Sequence, residues 1–193
     1  MITGPNGAGK TTLAEAVEKK VLERGMRIEV LDDRESRAFM SPDLGFGPDG
    51  SDLHLKRLAY ASMLLNRNGV CSVLTAAYPG KRSREDMRGA IPLLLEIYVD
   101  CPPDVRRKRI QSVKGSQAER DEIDHCADLD ASYDPPESPE VTVYSGKMTP
   151  EEGAAMIIRR LDSLHLLAPV ADGDVSREEA ELVKRRLTDL GRL

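Results

Sequence analysis

The sequence predicts an α/β fold, a parallel sheet held between two layers of helices. Three observations lead there. Short apolar runs alternate with stretches of helical periodicity along most of the chain, the pattern of successive βαβ units. The run Val70-Cys71-Ser72-Val73-Leu74-Thr75 is nearly continuous in apolar character, as expected for a strand covered on both faces. The chain also opens on an apolar stretch, Met1-Ile2-Thr3, that runs directly into a glycine-rich loop and an amphipathic helix.

That loop is Gly4-Pro5-Asn6-Gly7-Ala8-Gly9-Lys10-Thr11, which fits G-x-x-x-x-G-K-[ST], a phosphate-binding loop. Glycines permit backbone conformations that turn successive N–H groups inward onto phosphate oxygens. The helix that starts near Lys10 adds the positive end of its dipole. Lys10 is expected to reach the β- and γ-phosphates of ATP, the Thr11 hydroxyl to bind Mg²⁺, and Thr12 to complete the nucleotide-binding set. The first strand is shorter than the usual ~5 residues; either it is a short strand or the natural chain begins upstream.

The chain has 193 residues, enough for one domain with a sizeable core. We expect that domain over residues 1–167 and a linker with one further helix over 168–193. A net charge of −5 argues against a nucleic-acid partner. Cys71, Cys101 and Cys126 show no paired spacing, which points to a reducing compartment and no zinc site. Without a signal peptide or an apolar run of transmembrane length, the expectation is a cytoplasmic protein with no membrane partner.

In order, residues 11 to about 24 read as a helix, with Leu13, Val17 and Val21 four apart and Gly25 as its stop. Residues 27–31 read as a strand ending in Asp32-Asp33, at the strand end where an α/β sheet presents ligand groups. Residues 36–50, with Pro42, Gly45, Pro48 and Gly50, read as a loop that carries Phe39 and Phe46. A helix from Asp52 to about Asn66 aligns Leu55, Leu58, Ala59, Ser62 and Leu65. After the strand at 70–75, residues 76–82 form a loop opening a basic helix. Residues 92–99 read as a strand ending in Asp100, and Pro103 suits the first turn of a helix reaching about Ile110. Residues 114–129, dense in charge, read as a mobile surface segment. Pro135, Pro136 and Pro139 exclude helix or central strand. Val141 to Tyr144 is a short strand. Thr149-Pro150-Glu151-Glu152 is a capping box opening a helix to about Leu164. Ser176-Arg177-Glu178-Glu179 is another, opening a last helix with Val183, Leu187 and Leu190 as its apolar stripe.

This order of motifs resembles adenylyl-sulfate kinase, which phosphorylates the 3′-hydroxyl of adenosine 5′-phosphosulfate. The resemblance covers about residues 1–164. It rests on Leu31-Asp32, on Asp43-Leu44-Gly45-Phe46, on Val99-Asp100 before Pro102, and above all on Tyr133-Asp134-Pro135-Pro136-Glu137-Ser138-Pro139-Glu140, close to the family's Y-E-P-P-E-N-P-E. It implies a three-layer P-loop kinase fold, ATP with Mg²⁺, and a small-molecule hydroxyl acceptor. A homodimer is one option left open.

The departures fall on the acceptor side. The family writes D-G-D-x-x-R after the second strand; Asp32 and Arg37 match, but Arg34 stands for the second Asp. Its R-x-x-N-x-R-R reads Ser51-Asp52-Leu53-His54-Leu55-Lys56-Arg57, and its S-P-Y-R reads Tyr78-Pro79-Gly80-Lys81. Phe46 matches one of two phenylalanines that sandwich the acceptor adenine; the other falls near Cys126. Arg109 resembles the arginine near the ATP base. A lost charge-assisted contact costs roughly 1.5–3 kcal/mol and a lost stacking face ~1–3 kcal/mol, enough together to change the acceptor.

Asp32 is therefore the expected catalytic carboxylate, orienting or deprotonating the acceptor or holding Mg²⁺ through water; a helix cap is its plain alternative. Asp33 competes, because a one-residue change of register exchanges them. Arg37, Lys56 and Arg57 are candidates for an anionic acceptor, against a solvated charged face. Phe46 is a candidate ring platform, and His54, Tyr78 and Lys81 candidate acceptor contacts. Arg82 and Arg84 read as surface charges, Phe39 as packing, and His125 beside Cys126 as too few ligands for a metal. Three functions remain open: a kinase of this family acting on another hydroxyl, a genuine adenylyl-sulfate kinase, and a nucleotide-binding regulatory protein.

Overall fold

A computed structural model describes residues 1–45, 48–77, 79–112 and 133–168. Five strands make one parallel sheet: β1 (Ile2–Gly4), β2 (Ile28–Leu31), β3 (Cys71–Ala77), β4 (Ile97–Asp100) and β5 (Val141–Tyr144), in the order β2-β3-β1-β4-β5. Six described helices cover it: α1 (Lys10–Leu22), α2 (Asp33–Met40), α3 (Pro48–Arg67), α4 (Lys81–Ala90), α5 (Pro103–Ser112) and α6 (Pro150–Ser163). The chain leaves β1 toward one edge of the sheet and, after β3, builds toward the other. The carboxyl ends of β1, β2 and β3 therefore border the crevice where such sheets bind ligands.

The core has two parts, one on each face. Ile2, Leu13, Val17, Val73, Val99, Val143 and Ile157 pack on the α1 and α6 side. Leu55, Leu58, Leu74, Ala76, Met87 and Ile91 pack on the α3 and α4 side. Val73 and Leu74 belong to opposite clusters, so side chains alternating along β3 meet apolar neighbours on both faces. That is why its sequence lacks a polar alternation.

Several elements differ from the reading of the sequence. Residues 33–40, read partly as loop, form α2, capped by the Asp32 carboxylate on the amides of Arg34 and Glu35. The helix is short and none of its residues is buried, so no run of core-facing apolar residues marks it in the sequence. Phe39, expected to pack, is 84 % exposed on this helix. The apolar run at 92–96 is a turn rather than strand, with Leu93 at φ 60°, and β4 starts only at Ile97. The Thr149–Glu152 capping box forms as expected. The last helix lies outside the described residues.

The proline-rich segment is fastened to the sheet by charges. Arg84 is only 5 % exposed, not a surface charge. Its guanidinium donates to the carbonyls of Pro79 (2.7 Å) and Asp134 (2.8 Å) and stands 3.2 Å from Glu96, itself buried. Arg88 bridges Glu96 and Glu140, whose carboxylate also accepts the Glu96 amide. Tyr133 packs on Tyr98 with ring centroids 6.3 Å apart, and burial pushes its hydroxyl up to about 12. Arg84→Ala is expected to destabilise the fold by about 3 kcal/mol, the low end for breaking a buried pair, because Arg88 still faces Glu96. Urea denaturation measures it; an unchanged midpoint contradicts the account.

Candidate active site

Between β1 and α1 the phosphate loop is built by backbone. Gly9 caps α1 with φ 95° and ψ 26°, a left-handed conformation that costs other residues energy. Gly7, at φ 73°, is also held by space: a Cβ there would stand 2.9 Å from Ile110 and 3.0 Å from the Arg106 carbonyl. Lys10 is nearly buried, and its Nζ donates to the Pro5 carbonyl at 3.1 Å, folded over the loop. The arginines of α5 brace the loop from behind. Arg106 donates to the Asn6 carbonyl and Arg109 to that of Ala8 at 3.1 Å, while Ser145 donates to Ala8 at 2.6 Å.

Asp32 closes the loop's side. Its Oδ2 accepts the Thr11 hydroxyl at 2.7 Å and the Thr75 hydroxyl at 2.9 Å. A threonine hydroxyl beside a strand-end carboxylate is the donor set with which phosphate-loop proteins hold Mg²⁺. No cluster of three His, Cys, Asp or Glu side chains among the described residues suits a metal. The fit is thus to an ion shared with nucleotide phosphates, which is how Mg²⁺ is commonly held. Asp32 is both the expected site carboxylate and the cap of α2.

Asp33 reaches the end of β3, where Ala77 is in register with Gly4. Its Oδ2 accepts the Ala77 amide at 3.2 Å, and its Oδ1 lies 3.2 Å from His54 Nε2 and 3.9 Å from Arg37. Burial pushes the carboxyl up, but the hydrogen bonds from His54 and Ala77 and the charge of Arg37 outweigh it, so it ends below the usual range.

The remaining acceptor candidates scatter. Arg37 donates to the Gly45 carbonyl at 3.2 Å beside Asp33. His54 is 1 % exposed, so it is neither a surface histidine nor a direct acceptor contact; its ring is enclosed by Ser41 and Asp33. Arg57 is committed to Asp43 at 2.6 and 2.8 Å, which holds that carboxyl down at about 2. Lys56 faces α4, 3.6 Å from Asp86, and Lys81 meets Glu137 at 2.9 Å; neither is brought to the phosphate loop. Phe46, Tyr78, His125 and Cys126 lie outside the described residues.

Arg109 borders a cavity of about 240 Å³ beside the loop, lined also by Thr12, Val143, Ser145, Met148 and Pro150. Its position against the loop and its apolar walls suit a nucleotide base. The sequence reading missed Thr75 and Ser145. Thr75 is 1 % exposed, donates to Asp32 and accepts the Asp33 amide at 3.0 Å. A threonine within the apolar run of β3 was the available signal.

Comparison with known proteins agrees with this geometry. Residues 1–144 match the family model described as adenylylsulphate kinase. A probable adenylyl-sulfate kinase of Pyrococcus abyssi is 41 % identical over 166 residues, covering 86 % of this chain and 95 % of that protein. The adenylyl-sulfate kinase of Rippkaea orientalis is 36 % identical over 173 residues, 88 % of this chain and 94 % of its own. Among solved structures, the Mycobacterium tuberculosis APS kinase CysC in complex with AMPPNP and APS superposes with a TM-score of 0.74 at 28 % identity, covering 83 % of this chain and 95 % of that one. No described helix is long and apolar enough to cross a membrane. The chain belongs to the adenylyl-sulfate kinase family and is a P-loop kinase that uses ATP with Mg²⁺.

Proposed function

We propose that this kinase moves the γ-phosphoryl group of ATP to a hydroxyl of a small anionic or nucleoside-like metabolite, held by contacts that differ from those of its family. The supporting observation is the asymmetry of the site. On the ATP side every expected part is in reach: the loop, Lys10, and Thr11 on Asp32 at 2.7 Å. On the acceptor side Ser51 stands for an arginine, His54 is buried, and Arg57 is committed to Asp43.

Phosphoryl transfer depends mainly on positioning and charge neutralisation. The loop amides and Lys10 would grip the phosphates, Thr11 and Asp32 would hold the Mg²⁺ that supplies neutralising charge, and Arg109 would border the base. The acceptor oxygen bonds to the γ-phosphorus as the bond to the bridging oxygen of ADP breaks, and the hydroxyl proton leaves to a nearby base.

A genuine adenylyl-sulfate kinase is the second reading, favoured by the names of relatives that match almost end to end. The discriminating measurement is kcat/KM with adenosine 5′-phosphosulfate, coupled to ADP release. The proposal expects a value below ~10⁴ M⁻¹s⁻¹, the low end for ordinary enzymes. A value above it restores the family's own acceptor.

A further inference from the structure

Two adjacent carboxylates end β2, and their surroundings divide them. Each oxygen of Asp32 is engaged twice: Oδ1 by the amides of Arg34 and Glu35, Oδ2 by the hydroxyls of Thr11 and Thr75. Asp33 reaches the end of β3, where its Oδ2 accepts the amide of Ala77, the residue in register with Gly4 at the start of the phosphate loop. Its Oδ1 meets His54 and, farther off, Arg37, and its side chain keeps 23 % of its surface exposed.

The direction of the hydrogen bonds follows from the partners. His54 Nε2 faces two acceptors, the Asp33 carbonyl at 3.1 Å and Oδ1 at 3.2 Å, so it carries a proton. Arg57 donates to the Ser41 hydroxyl at 3.3 Å, and Ser41 then donates to His54 Nδ1 at 2.7 Å. A line of hydrogen bonds runs from Arg57 through the buried Ser41 and His54 to Asp33. It also ties both ends of α2, since Ser41 is its C-cap and Asp33 its first residue. Beside the packing of Met40 on the core, these polar ties set where Asp33 stands.

We propose that Asp33 is the carboxylate that receives the acceptor hydroxyl, and that His54 is a positioning residue that aims it. Asp32 is left to the phosphate side. The inference rests on the kinase reading above. It also gives Arg57 a part: the arginine works through Ser41 and not on the acceptor itself.

The test uses two substitutions that keep different halves of the imidazole. His54→Gln retains a donor near the Nε2 position; His54→Asn retains a polar partner near Nδ1 for Ser41 only. ADP release is measured at saturating ATP with adenosine 5′-phosphosulfate and with water as acceptors, and melting temperature checks folding. His54→Asn is expected to lower acceptor-dependent kcat at least about tenfold, within the ~10² that a 1 Å misplacement costs, with KM for ATP unchanged. His54→Gln is expected to stay within roughly threefold of the wild type, far inside that range. Wild-type kcat in His54→Asn, or a His54→Gln as slow as His54→Asn, overturns the proposal. Nitrogen-15 spectra of the ring give an arm independent of turnover: a proton on Nε2 whose resonance moves in Asp33→Asn is expected, and one on Nδ1 alone overturns the contact. If adenosine 5′-phosphosulfate adds nothing to the water rate, that agrees with a changed acceptor, and the ring spectrum decides the Asp33–His54 pair.

Discussion

Lys10→Ala is expected to abolish phosphoryl transfer, by at least ~10³-fold, the scale of removing one cation from the charge that develops on the γ-phosphoryl group. The side chain starts at the first residue of α1 and bends back so that Nζ sits 3.1 Å from the Pro5 carbonyl, over the cradle of loop amides. Removing it leaves Gly7 and Gly9 in their left-handed conformations and leaves the braces from Arg109 and Ser145. The loop should therefore persist and the thermal midpoint stay close to the wild type. Calorimetry with ATP and Mg²⁺, beside single-turnover ADP formation, checks this. Unchanged affinity and unchanged turnover together contradict it.

The second large effect belongs to Asp32. Asparagine is a good helix cap, so Asp32→Asn should preserve the bonds from the Arg34 and Glu35 amides and keep α2 folded. What it removes is the negative charge between Thr11 and Thr75. Turnover is expected to fall ~10²–10³-fold, the scale of removing one preorganised electrostatic contact, with ATP affinity largely kept and the Mg²⁺ requirement shifted upward. The measurement is kcat as a function of Mg²⁺ concentration. A variant that matches the wild type at every concentration contradicts the role given to this carboxylate.

The parts of the site that read directly from the sequence are those whose chemistry is local. A phosphate loop works through neighbouring backbone amides, so eight consecutive residues declare it. The same holds for the Thr149–Glu152 capping box and for β3, whose two-sided burial removes polar alternation. What stayed hidden depends on long-range neighbours. Arg84 sits in a basic stretch and looks like a solvated charge; only the fold brings Asp134 and Glu96 to it. His54 looks like a surface residue because its partners are 13 and 21 residues away. Helix α2 has eight residues and none of them buried, so it lacks the run of core-facing apolar positions that marks the longer helices. Yet Asp32 followed three residues later by Glu35 has the spacing of a cap, and the amide bonds to Asp32 show that it acts as one.

The relatives and the residues pull the acceptor in different directions, but both require that a phosphoryl group leaves ATP for a hydroxyl. The most direct measurement follows the label from γ-³²P-ATP with Mg²⁺ in the presence of adenosine 5′-phosphosulfate and a panel of hydroxylated anionic metabolites and nucleosides. The account predicts label in an acid-stable phosphate ester of one of them, formed faster than inorganic phosphate and lost in Lys10→Ala. Label found only in inorganic phosphate, or retained in ATP with every acceptor, would contradict it.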